Sequence, residues 1–442
     1  MRYILRTRNV IMVHKEACHE RMRSDMRTAI WLYLFMFVAF FDLHAQYPIL
    51  SPYAVSLGAA PSFIGLILGV YSITHLPGNL IAGYGVDRYG SKKFIIASML
   101  MAGLLLLFQS QVTNPWQLLV IRSISGFVLA FLSPACLALL ARLARDRIHQ
   151  SKLMAGNGLV HTLASVVSPA AGAFLVAKIG FSTSFSVLGW LLIVTGILAI
   201  FGIQEKRIAL TPAISTMTGH HVHHHGHGPE PDQPGNSLQK SGQALSSGYT
   251  NGIPWLFFLL PLAISCSQGI LYFELPMLDN HGHGHGHAAA AQSVLSSGIL
   301  FSLVSLGALL TLSLVFLNRV HPLARTIAGC LMLALIFFTM AVGAPVSLYV
   351  LLFLIGMAKG VIFPAIASLL AATTSMDRYG KAYSILSIAY SIGSFIGPIA
   401  AGQLRTSLSP YYIAFFMLMA GLCCLPLERL RLIPAALRPP AA

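Results

Sequence analysis

The chain has 442 residues, of which 56% are hydrophobic and only 9% charged, with a mean hydropathy of +0.74. A soluble globular protein carries roughly 25% charged residues, so this polar complement is too sparse to cover a water-facing surface and excludes a soluble fold. The formal charge of +15, from 28 Lys and Arg against 13 Asp and Glu, would suit nucleic acid, but its placement along the chain assigns it to a membrane instead.

Residues 1–27 hold seven Lys and Arg and no apolar stretch ending in a small-residue cleavage site, and read as a basic cytoplasmic arm rather than a cleaved leader. Twelve apolar runs follow, at 28–50, 62–84, 93–111, 116–141, 153–177, 182–203, 254–278, 292–317, 324–343, 346–371, 382–403 and 410–427. Each is long enough for a helix to cross roughly 30 Å of hydrocarbon at about 1.5 Å per residue. A Gly-, Ser-, Pro- and His-rich stretch at 204–253 reads as a cytoplasmic linker between two bundles, 28–203 and 254–427, with a cytoplasmic tail at 428–442. With the N-terminus inside, the inner segments carry 24 Lys and Arg and the outer loops two, Lys178 and Arg405. Positive charge stays on the cytoplasmic side, so the expectation is a multi-pass protein of the cell membrane with both termini cytoplasmic. The fold class expected is all-α integral membrane, twelve transmembrane helices in two pseudo-symmetric six-helix bundles.

The two halves look like repeats. In span four Gly126 precedes Pro134 by eight residues, and in span ten Gly356 precedes Pro364 by eight; Pro169 and Pro398 follow 35 and 34 residues later. Homologous halves are what alternating access needs, because a central site opens by rocking one half against the other. Five of the six cysteines lie in apolar runs without a CxxC pair and read as small core hydrophobes.

After span two comes GYGVDRYGSKK, from Gly83 to Lys93. Gly83 and Gly90 suit a tight turn, Asp87 suits the positive end of a helix, and Arg88, Lys92 and Lys93 suit an anionic inner surface. This segment resembles the loop 2–3 signature of the major facilitator superfamily, with Ser91 standing where that signature has a basic residue. The resemblance implies that Gly83, Asp87, Arg88, Gly90, Lys92 and Lys93 form a conformational switch, with Asp87 contacting the start of span eleven in the outward-open state. Arg122-Ser-Ile-Ser-Gly126 in span four is similar to the family's RxxxG signature. Ser168-Pro169-Ala-Ala-Gly172 in span five and the fuller Gly393-x-x-x-Gly397-Pro398-x-x-x-Gly402 in span eleven look like the Gly-Pro motif of its twelve-helix drug:proton antiporters. Small residues four apart also let helices pack closely whatever the substrate.

Buried polar groups supply candidate site residues. An ionisable group inside a span is costly and marks function by default. Asp42 opens a polar stripe, Asp42-Leu-His44-Ala-Gln46, in span one; Glu274 lies near the outer end of span seven; Arg122 and Lys359 are the cations inside spans. The carboxyl groups can carry a proton or pair a cationic solute, and Lys359 can pair either of them or bind an anionic solute. His44, His75 and His161 fall in spans one, two and five and read either as satisfied core residues or, with Asp42, as a relay. The substrate and proton-coupling set is therefore Asp42, His44, Gln46, Arg122, His161, Glu274 and Lys359.

Two histidine tracts stand outside the spans: His220, His221, His223, His224, His225 and His227 in the linker, and His281, His283, His285 and His287 in the outer loop after span seven. Alternating His-Gly can wrap weakly around Zn²⁺, Ni²⁺ or Cu²⁺, and low-complexity drift explains the same pattern. No phosphate-binding loop and no nucleophile constellation are present, which argues against an ATP-driven pump or an enzyme. The expectation is a proton-coupled exporter of a drug-like molecule or metabolite. Its alternatives are an exporter of a divalent metal or metal chelate and a proton-driven uptake symporter. It would need no cofactor beyond the proton gradient, and its partners would be membrane lipid, a small-molecule solute and protons, acting as a monomer without nucleic acid.

Overall fold

In lipid every backbone polar group must be satisfied within the chain, which leaves helices as the way to cross. The computed structural model describes residues 26–144, 146–203, 255–278, 287–314, 317, 319–374 and 379–425, excluding the side chains at 87, 147, 148, 151, 287–291, 379 and 380. Span one is Met26–Ala45, continued past a turn at Gln46 by Tyr47–Ser56. Spans two to six are Pro61–Tyr89, Ser91–Gln109, Pro115–Leu143, Arg147–Ile179 and Phe181–Gly202. Spans seven to eleven are Trp255–Met277, His287–Ser313, Pro322–Val342, Leu348–Thr373 and Tyr379–Leu404. Eleven of these are long and apolar enough to cross a membrane, and a twelfth apolar helix is the shorter Pro410–Cys423. The chain clusters as two units, Met1–Gln204 with Trp255–Ala442, and Glu205–Pro254; the second, like the basic arm to residue 25 and the tail, lies outside the described residues.

Two spans read as continuous are interrupted. Span four breaks at Ala130 and Phe131 into Pro115–Leu129 and Leu132–Leu143, because Pro134 has no N–H to offer the Ala130 carbonyl four residues back. Pro48 does the same to the His44 carbonyl, and the turn at Gln46 results.

Glycine sets the packing between halves. A Cβ on Gly65 of span two would strike the Pro398 carbonyl of span eleven, one on Gly69 would lie 2.6 Å from the Phe395 carbonyl, and one on Gly402 would strike the Pro61 carbonyl. Gly298 of span eight abuts Pro169 and Ala173 of span five in the same way, and the Ala170 N–H donates to Ser302 Oγ at 3.2 Å. On its other side span eleven sets Gly393 and Gly397 against the Leu262 and Cys266 carbonyls of span seven. Both Gly-Pro segments therefore act as packing surfaces, Gly172 included, which meets Ala45. Ser168 Oγ donates to the Ala164 carbonyl within its own helix. With outer and inner taken from the cation distribution, these contacts all lie from the outer ends to mid-depth. Toward the inner end of span eleven Tyr383, Ser384, Ile385 and Ser387 are exposed.

The turn between spans two and three is a single residue. Gly90 takes φ +89°, a backbone region that L side chains avoid, and its N–H donates to the Val86 carbonyl at 3.0 Å. Gly83 needs no such freedom, since a Cβ there would meet nothing within 4 Å. Arg88 donates to the Tyr84 hydroxyl at 2.8 Å and lies over the Tyr84 and Tyr89 rings, and Lys93 is exposed. Lys92 reaches sideways: its ammonium donates to the carbonyls of Ile200 and Ile203, each at 2.7 Å. A cation there complements the negative end of span six and satisfies carbonyls the helix leaves unpaired. Lys92→Met should lower stability by about 1 kcal/mol, below the usual worth of bonds to a charged group because the ammonium is partly exposed. Lys92→Arg should lose less; equal thermal unfolding of wild type and Lys92→Met in detergent would remove this staple from the account.

Candidate functional site

The turn at Gln46 places its side chain one helical turn from Asp42, on the same face. Gln46 Nε2 donates to both Asp42 carboxylate oxygens, at 2.9 and 3.0 Å. Gln46 Oε1 in turn accepts from Arg122 Nη1 at 3.0 Å and from Gln109 Nε2 at 3.4 Å. The guanidinium lies over the Tyr71 ring of span two, 4.6 Å from its centroid, a favourable cation–π position. Arg122 is 6% exposed and Asp42 2%, so Arg122 turns into the bundle and does not snorkel to the surface. Asp42 and Arg122 are joined through the Gln46 amide, which presents its donor to the anion and its acceptor to the cation.

Beside this network lies a ring cluster. His44 Nδ1 donates to the Phe40 carbonyl at 2.6 Å. The His44 and His161 rings stand edge to face, centroids 5.2 Å apart, and Phe40 meets His161 at 4.5 Å. On the outer side Tyr47 of span one stacks on Tyr272 of span seven at 4.2 Å and 12°, with Phe301 of span eight 5.6 Å from Tyr272. Lys359 of span ten is half-buried. Its neighbours Gly356 and Gly360 are pressed against Val304 and Thr311 of span eight, which fixes the turn that carries it. His75 pairs with Asn79 at 2.9 Å and lines, with Tyr71, Phe40 and Leu43, a cavity of about 60 Å³.

The structure thus brings together Asp42, Gln46 and Arg122, with His44 and His161 beside them, and gives Lys359 no contact with either group. Glu274 stands apart. It is 4% exposed and pairs with Arg405 Nε at 3.6 Å, while Arg405 Nη2 donates to the Met277 carbonyl at 3.3 Å. Glu274 pairs with neither Lys359 nor Asp42, and its bridge ties span seven to the loop before span twelve. Tyr47, Tyr71, Gln109 and Tyr272 belong to the site without having been singled out in the sequence; Gln109, a buried amide at the end of span three, was the detectable one.

Asp87, expected as a switch residue, is helical, but its side chain is not among those described. His220, His221, His223, His224, His225, His227, His281, His283 and His285 lie outside the described residues, and His287 heads span eight with its side chain likewise undescribed. Among the described residues no three His, Cys, Asp or Glu side chains converge as metal ligands would.

A model of the Major Facilitator Superfamily matches residues 32–347 and 330–440. The chain is 25% identical over 391 residues to an uncharacterized MFS-type transporter, YuxJ, of Bacillus subtilis (strain 168), covering 86% of this chain and 92% of that one. It is 23% identical over 402 residues to the multidrug resistance protein MdtG of Klebsiella pneumoniae (strain 342), covering 89% and 90%. Among solved structures, a bacterial homologue of the human lysosomal transporter Spinster, inward-facing and unoccupied, superposes with a TM-score of 0.65 at 13% identity, covering 92% of this chain and 94% of that one.

Proposed function

The chain belongs to the Major Facilitator Superfamily, a family of transporters and not of enzymes, and on that premise we propose that it is a proton-coupled secondary transporter that exports a small organic solute by alternating access. The observation that carries this reading is the Asp42–Gln46–Arg122 relay, buried among spans one, three and four. Ionised Asp42 accepts twice from Gln46 and so aims the Gln46 carbonyl at Arg122. A proton on Asp42 turns one oxygen into a donor, removes one of those acceptors and loosens the hold on Arg122. One proton is thereby felt on spans one, three and four at once. The contacts between halves gather at the outer ends, which supports an inward-facing conformation. Export is supported by the name of the multidrug resistance relatives that align along most of the chain. The protein works as a monomer in the cell membrane with both termini in the cytoplasm.

A second reading, proton-driven uptake, rests on the same relay, since Asp42 can carry its proton in the direction of the solute as well as against it. Everted and right-side-out vesicles separate the two. Each is offered lipophilic cations, aromatic carboxylates, amino-acid-like metabolites and divalent metals, with and without a pH gradient. Export predicts accumulation in everted vesicles that a proton ionophore abolishes, and uptake predicts the same in right-side-out vesicles. Ionophore-insensitive movement in both sinks proton coupling, and movement of divalent metals alone would return the histidine tracts to the centre.

A further inference from the structure

A groove of about 310 Å³ lies between the inner parts of spans nine and ten and the loop that joins spans eight and nine. That is the size of a small-molecule pocket, yet none of its lining comes from residues 26–203, so it belongs to the second bundle and stands apart from the relay. Ala324, Ala328 and Met332, four residues apart on one face of span nine, form one wall. Val361 of span ten forms part of the other, and Leu317 and Val320 of the loop stand at the mouth. From Ala324 to Met332 the groove runs about 12 Å along the helix axis, and the small side chains of Ala324 and Ala328, both exposed, leave it open. Its chemistry divides along that length. At the inner membrane surface Arg325 lines it and is 7% exposed, and Arg319, next to Val320, is exposed. Span nine also begins there, at Pro322, with the positive pole of its helix dipole. Deeper in the membrane the lining is alanine, glycine, valine and methionine, with no polar side chain.

We infer that this groove holds an anionic phospholipid of the inner leaflet, with its phosphate beside Arg325 and Arg319 and one acyl chain along Ala324, Ala328 and Met332. A basic pocket between spanning helices on the cytoplasmic side is the chemistry that recognises lipid head groups. The direction agrees as well: positive charge stands at the membrane surface and the apolar floor leads toward the bilayer middle, along the axis that an acyl chain follows. A water-soluble anion would match the charged end and gain nothing from the apolar length below it, and an uncharged apolar molecule would leave the charged end unused. The site lies within one half of the protein, so it depends neither on the proton relay nor on the direction of transport.

The test applies native mass spectrometry to the full-length protein in neutral detergent, with three probes. Dioleoylphosphatidylglycerol carries the anion and the chains, dioleoylphosphatidylcholine has the same chains and a cancelled charge, and glycerol 3-phosphate has the anion without chains. Wild type should hold one phosphatidylglycerol about tenfold more tightly than phosphatidylcholine, the scale set by one or two cations at a lipid head group, and glycerol 3-phosphate should not displace it. Ala328→Phe fills the groove from an exposed position and should lose that molecule. Leu335→Phe, also exposed on span nine but outside the groove, should keep it. Arg325→Gln should hold the two lipids about equally. Equal retention of the two lipids by wild type would mark an ordinary boundary lipid and overturn the inference. So would displacement by glycerol 3-phosphate, an undiminished phosphatidylglycerol count in Ala328→Phe, or an undiminished preference in a folded Arg325→Gln. If Arg325→Gln does not fold, Ala328→Phe set against Leu335→Phe decides the matter.

Discussion

Vesicles carrying Asp42→Asn are expected to lose solute movement driven by a pH gradient while the protein still folds and binds solute. Asparagine keeps one acceptor for the Gln46 amide, so the packing of spans one, three and four survives, but it takes up no proton. The fall in the gradient-driven initial rate should be on the order of 10²-fold, the scale at which removing a proton-carrying side chain acts in general acid–base chemistry. If Asp42→Asn moves solute against a gradient as well as wild type, Asp42 is a structural residue and Gln46 only its hydrogen-bond partner.

The second large effect is conformational. Gly65→Val places a branched side chain where the Pro398 carbonyl lies, and backbone there cannot swing aside as a flexible side chain would. Overpacking of this kind costs about 1–3 kcal/mol. Here the cost falls on the state with the outer ends together, since parting them removes the clash. The balance between states should shift by about tenfold or more toward outer opening. Alkylation of Tyr272→Cys by a membrane-impermeant maleimide from the outer side should quicken accordingly. Gly158→Ala, where a Cβ meets nothing within 4 Å, should leave that rate unchanged. Equal labelling of Gly65→Val and wild type would mean that the seam between spans two and eleven does not gate the cleft.

Spans could be read from sequence because lipid imposes one requirement on length and polarity, and it acts on every span. The interruptions could not. Pro134 and Pro48 break their helices, whereas Pro77, Pro169, Pro364 and Pro398 lie inside unbroken ones; the same residue has both outcomes, and the packing around it decides. Of the site, Asp42 and Gln46 were legible as the ends of a polar stripe in an apolar span, and Arg122 through the cost of charge inside a span. Tyr47, Tyr71 and Tyr272 were hidden, because an aromatic residue in an apolar helix carries no mark of which way it faces. Glu274 was legible as a buried carboxylate, but its partner Arg405 comes from a loop, and no periodicity connects the two.

The outer seam is built from glycine against backbone carbonyls, a stacked tyrosine pair and a bond from Ala170 to Ser302, and among the described residues no ion pair crosses it. Parting such a surface forfeits dispersion contacts worth about 0.1–0.2 kcal/mol per atom pair and leaves no charge to be resolvated. The barrier to opening should therefore be low and nearly indifferent to ionic strength, so that turnover is paced by what the cleft holds and not by the latch that closes it.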